Sequence, residues 1–105
     1  MNNGKIYVVC WGSASQDGEG NCSAYTGVHG VYTELKKAQQ GLEDCKNEMY
    51  DEIVNDPDFD EEERQDVENS TEVYGSVKEN YFEIDYDSWD IRNEIHITLV
   101  EQELK

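Results

Sequence analysis

Two spacings of apolar residues divide this chain. In KIYVVCW, from Lys5 to Trp11, alternation sends Ile6, Val8 and Cys10 to one side of an extended segment and Tyr7, Val9 and Trp11 to the other. Both sides are apolar, so the segment is expected to be a central strand with neighbours on each edge. The polar stretch from Gly12 to Ser23 has no periodicity and reads as a flexible hairpin connection. Ala24 to Tyr32 resumes β-favouring residues, and its Gly27 and Gly30 point to a bulge or to another group approaching the backbone closely.

The spacing then changes. Leu35, Ala38, Leu42, Cys45 and Met49 recur at steps of three and four, with Ile53 on the same stripe. This predicts an amphipathic helix from Glu34 to Val54, capped by Thr33 and docked on the sheet. Gly41 should weaken it by about 1 kcal/mol relative to alanine. Pro57 ends the helical pattern, and Asp60 is placed to cap a short, mobile second helix anchored only by Phe59 and Val67. Val73 to Glu79 is ambiguous between strand and loop. Phe82, Ile84 and Tyr86 alternate with acids, and Ile95, Ile97 and Leu99 alternate with His96, Thr98 and Val100, so the chain closes with a hairpin.

The expected fold is therefore a single α+β domain over residues 1–105. It has an antiparallel sheet of about four strands in two hairpins, with the first strand central. One long amphipathic helix packs on one face, and an acidic helical insert occupies about 55–72.

Charge sharpens this picture because it is local. Of the seventeen net negative charges, twelve fall between Glu43 and Glu72, where fourteen acids face only Lys46 and Arg64. Residues 1–42 are neutral, with three acids and three lysines, so uniform acidity of the halophile kind does not describe the chain. Asp44, Glu48, Asp51 and Glu52 form a ridge roughly 12 Å long on the predicted helix. Like charges so spaced cost stability, and acids near a helix C-terminus oppose its dipole. Folding does not ask for them.

Such a balance repels nucleic acid and anionic membrane and attracts basic proteins in a salt-dependent way. Cys10, Cys22 and Cys45 have no metal-knuckle spacing, and no N-terminal apolar run suggests a signal peptide or membrane span, so a reducing cytoplasm is expected. Cys10 and Cys45 fall on apolar stripes as small core residues, whereas Cys22 reads as a loop thiol. Asp17, Glu19 and Asn21 alternate like oxygen ligands, but the acids, glycine and terminal Glu of a calcium loop are missing. The run from Asp58 to Glu63 supplies oxygens without loop geometry. No metal or cofactor site is expected. His29 and His96 read as strand side chains, and no phosphate loop, nucleophile elbow or HExxH motif indicates an enzyme.

The opening strand, the phrase GVYTELKKA from Gly30 to Ala38, and the closing YFEID and ITLVEQEL segments resemble a broad group of small phage and mobile-element proteins. That resemblance implies a compact α+β fold and a mobile-element origin, with the Asp56 to Glu72 block as an elaboration. It carries over no functional residues.

Duplex DNA presents about one negative charge per 1.7 Å of axis, and its binding proteins line a groove with Lys and Arg. A rigid scaffold of carboxylates can occupy such a groove without being a substrate. The expected function is thus a non-catalytic acidic inhibitor of a basic DNA- or RNA-binding protein, of the anti-CRISPR or anti-restriction type. Its contact set would be Asp44, Glu48, Asp51, Glu52, Asp58, Glu61, Glu62 and Glu63, joined by Asp85, Asp87 and Asp90. The alternative is an accessory or adaptor protein that binds an ordinary partner through a sheet edge or through exposed aromatics such as Tyr74, Tyr81 and Trp89.

Overall fold

A computed structural model describes residues 4–16, 22–88 and 91–103. Asp17, Glu19, Asn21, Trp89 and Asp90 lie outside them. The elements are β1 (Lys5–Gln16), β2 (Cys22–Tyr32), α1 (Leu35–Val54), α2 (Glu61–Ser70), β3 (Glu72–Ser76), a 3-10 turn (Val77–Glu79), β4 (Tyr81–Ser88) and β5 (Ile91–Glu103). All strand pairs are antiparallel, in the order β2-β1-β5-β4-β3.

This is the expected α+β fold with five strands rather than four. The additional one is β3, which pairs Glu72 to Ser76 with Asp85 to Tyr81 along the outer edge of β4. The central strand is β5 rather than β1. β1 is nevertheless interior, flanked by β2 and β5; Tyr7, Val9 and Trp11 on one of its apolar sides join the core, and Val8 and Cys10 on the other belong to an apolar row on the open face of the sheet. The first hairpin is also longer than its glycines suggested, since β1 runs to Gln16 and β2 starts at Cys22. Serine and threonine fit an extended strand as readily as a loop when a neighbour supplies the ladder.

The core lies between one face of the sheet and the helices. Val9 of β1, Phe82 and Ile84 of β4, and Ile95, Ile97 and Leu99 of β5 meet Ala38, Leu42 and Cys45 of α1. Burial pushes the Cys45 thiol up to about 11, with Glu48 and Glu52 adding to the effect, which makes it a packing residue and not a nucleophile. Leu35, read as the first residue of the buried stripe, is 43% exposed in the first turn of α1. Glu34, not Thr33, occupies the cap position, and its side chain reaches Lys37 at 3.4 Å instead of capping.

Gly41 has a use that its helix propensity conceals. A Cβ there would collide with the Tyr32 ring, which lies between α1 and β2. The small cost to the helix is exchanged for close approach of the two elements. Gly27 does the same for Trp11, whose ring lies where a Cβ would be only 2.6 Å away.

α2 is part of the packed layer. Val67 is 2% exposed, Phe59 is buried in the linker, and α2 packs chiefly against β4. Ser70 Oγ ties its end to β4, accepting from the Asp87 amide at 3.1 Å. Asp60 caps α2 as expected, its Oδ1 accepting from the Glu63 amide at 2.8 Å.

Candidate functional site

The helical layer gathers most of the predicted acids on one side of the molecule. Asp44, Glu48, Asp51 and Glu52 are exposed on α1, and Asp58, Glu61 and Glu62 are exposed in the linker and first turn of α2, with Glu63 partly exposed beside them. The linker is shaped by its own acids: Asp56 Oδ1 accepts from the Asp58 amide at 2.9 Å, which makes a tight turn around Pro57.

Almost none of this charge is neutralised from within. Asp44 accepts from Gln40 at 3.0 Å, and Glu48 approaches His29 Nδ1 at 3.9 Å. Among the described residues, no lysine or arginine lies within ion-pair reach of Asp51, Glu52, Asp58, Glu61, Glu62 or Glu63. The two bases of the acidic segment do not serve it. Lys46 sits 5.2 Å from the centre of the Phe82 ring, and Arg64 Nε is buried without a hydrogen-bond partner.

Asp85 and Asp87 do not join this set. By strand alternation they face the open side of the sheet, opposite the helices, where Asp85 pairs across to Glu94 and Asp87 to Arg92. One partner surface laid on the helical layer does not reach them. Asp85 is moreover engaged in a local network, with only 15% of its side chain exposed and Arg92 at 3.8 Å. Its carboxyl is pushed up to about 6, first by burial and then by Glu83 and Glu94, against the opposing charge of Arg92.

The same network absorbs Tyr81, one of the candidate aromatic anchors. Its hydroxyl donates to Glu83 at 2.6 Å and meets His96 Nδ1 at 2.7 Å. Burial and the Glu83 carboxylate push that hydroxyl up to about 12, while the bond from Tyr81 holds Glu83 below the usual carboxylate range. Tyr74 is exposed on the same face and donates to Glu72. Beside the network the open face turns apolar, with Val31, Val8 and Val100 in register across three strands and Val28, Cys10 and Thr98 in the next row.

Sequence reasoning missed one feature altogether. Where α1 ends, a cavity of about 300 Å³ opens between the helical layer and the sheet. Its floor is Trp11, Ser13, Ile95 and Tyr86, side by side on three strands. Its walls are Met49, Glu52 and Ile53 of α1 with Asp56 and Phe59 of the linker. Glu52 and Asp56 also line a shallower hollow with Asp51 and Pro57, so the mouth is acidic and the floor aromatic. Trp11 and Tyr86 sit 75 residues apart in the chain, and nothing in local spacing brings them together.

Among the described residues, no group of three or more His, Cys, Asp or Glu is arranged to hold a metal ion, and no helix is long and apolar enough to cross a membrane. No family model matches the chain, and no curated protein or solved structure matches it.

Proposed function

We propose that this chain is a non-catalytic acidic binding protein that inhibits a basic DNA- or RNA-binding protein by occupying its nucleic-acid groove, as anti-CRISPR and anti-restriction proteins do. The observation that carries this reading is the layer of unneutralised carboxylates on α1, the linker and α2, held on one side of a packed sheet. Its contact set is Asp44, Glu48, Asp51, Glu52, Asp58, Glu61, Glu62 and Glu63. A groove evolved to release counterions from phosphate gains the same electrostatic attraction from such a layer. A mobile-element origin, implied by the sequence resemblance, suits that role.

The test is a pull-down from nuclease-treated bacterial lysate, eluted by a salt gradient, beside a variant carrying Asp58→Asn, Glu61→Gln, Glu62→Gln and Glu63→Gln. The expected partner binds DNA or RNA in its own right, elutes as salt rises, is displaced by added duplex, and is lost with the variant. A partner retained by the variant and indifferent to salt would overturn the reading. It would favour an adaptor that docks through the open face, where Val28 and Val31 are 63% and 59% exposed.

A further inference from the structure

We infer that the cavity at the end of α1 is a socket for an arginine side chain of the basic partner. This rests on the binding role proposed above and deepens it by naming the residue that would anchor the complex. The argument begins with what the cavity offers. Trp11, Phe59 and Tyr86 supply aromatic surface, Met49 a polarisable wall, and Glu52 and Asp56 two carboxylates at the mouth. An apolar ligand would leave the carboxylates with nothing to meet, and an anion would be repelled by them. A cation is favoured twice, by the aromatic lining and by the acids.

Arginine fits this combination better than lysine. Its guanidinium is flat, stacks on aromatic rings, and forks to two acceptor oxygens, whereas an ammonium is a strongly hydrated point charge that is costlier to strip of water. At about 300 Å³ the cavity is at the small end of ligand sites, suited to one inserted side chain and not to a large cofactor. Its construction is also deliberate in the backbone. Gly27 provides the space in which the Trp11 ring lies, and the Asp56–Asp58 turn fixes the carboxylate at the rim. Tyr86 already responds to that carboxylate, since burial and then Asp56 raise its hydroxyl above the usual range. The position is telling as well. The socket shares Glu52 and Asp56 with the shallower hollow that Asp51 lines, so a basic surface laid on these acids can insert a side chain between them.

The test uses the whole free protein and N-acetyl-arginine amide, with the neutral isostere N-acetyl-citrulline amide as control, followed by NMR. The indole N–H of Trp11 is distinguished from that of Trp89 with a Trp89→Phe variant. Saturable shifts at Trp11 and the Met49 methyl with arginine, and none with citrulline, are expected. Glu52→Gln, an exposed change that leaves the core intact, should weaken arginine binding about fivefold and also weaken retention of the partner. The variant with Asp58, Glu61, Glu62 and Glu63 neutralised should still bind arginine amide, because none of these residues lines the socket. Absence of saturable shifts, or equal shifts with citrulline, would overturn the inference even if the partner is still captured. Arginine binding without any effect of Glu52→Gln on partner retention would overturn the partner as the source and leave a free guanidinium compound as the ligand. Arginine binding with no basic partner captured would overturn the proposed function and, with it, the anchoring role.

Discussion

The two faces of the sheet carry carboxylates in different conditions. On the open face, Glu83, Asp85 and Glu94 are interleaved with Tyr81, Arg92 and His96, so each acid has a hydrogen-bond or ionic neighbour. On the helical face, Asp51, Glu52, Asp58, Glu61 and Glu62 are exposed and, among the described residues, have no lysine or arginine within ion-pair reach. The difference teaches that acidity in this protein has two meanings. Glu83, Asp85 and Glu94 are engaged in internal contacts, whereas the acids of the helical layer are left for whatever approaches it.

The largest change expected is to separate the layers. Leu42→Ala removes a fully buried side chain between α1 and the sheet, and should cost about 2–5 kcal/mol in chemical denaturation. If the acidic display depends on packing, salt-dependent partner binding should weaken with it. Asp60→Ala removes only the α2 cap. A loss of about 1 kcal/mol is expected, with the amides of α2 exchanging faster than those of β5.

Next is the open face. With the Asp85 carboxyl raised from 3.8 to about 6, the folded protein holds this proton more tightly than the unfolded chain. That contribution to stability is fully present below about pH 4 and is lost as pH rises through about 6. Asp85→Asn should therefore gain stability relative to the parent across this interval in denaturation curves taken from pH 4 to 7. A constant difference at every pH would mean that the acid is not confined as the structure shows.

The smallest effects should have opposite signs at two ends of the helical layer. Glu52→Gln removes charge near the C-terminal end of α1, where the dipole opposes it, and should stabilise by about 0.3–0.5 kcal/mol at low salt. Glu61→Gln removes charge from the first turn of α2 and should destabilise by a similar amount. Both differences should shrink in high salt. Equal signs would show that net charge, and not position on the helices, governs the surface.

Much of this was legible in the residues themselves. The alternation of Phe82, Ile84 and Tyr86, and of Ile95, Ile97 and Leu99, placed β4 and β5, and the steps from Ala38 to Ile53 placed α1, because burial on one side imposes the period of the backbone. Asp60 announced the start of α2 through its hydrogen-bonding chemistry. β3 was not legible, since Glu72, Gly75 and Ser76 have weak strand preference and depend on β4 to supply the ladder. The Tyr81 network escaped notice for a related reason: Tyr81 and His96 lie on neighbouring strands and meet only through register.

The sequence alone determined the fold class, the position of the long helix and the concentration of negative charge between Glu43 and Glu72, for these follow from local spacing and composition. Tertiary structure decided which acids remain available. It turned Asp85 and Asp87 to the far side of the sheet, gathered α1 and α2 on the other, and closed Trp11, Phe59 and Tyr86 around one cavity. The physical reason is that a side chain's direction is set by its own backbone, but its neighbours are set by how strands pair and layers pack.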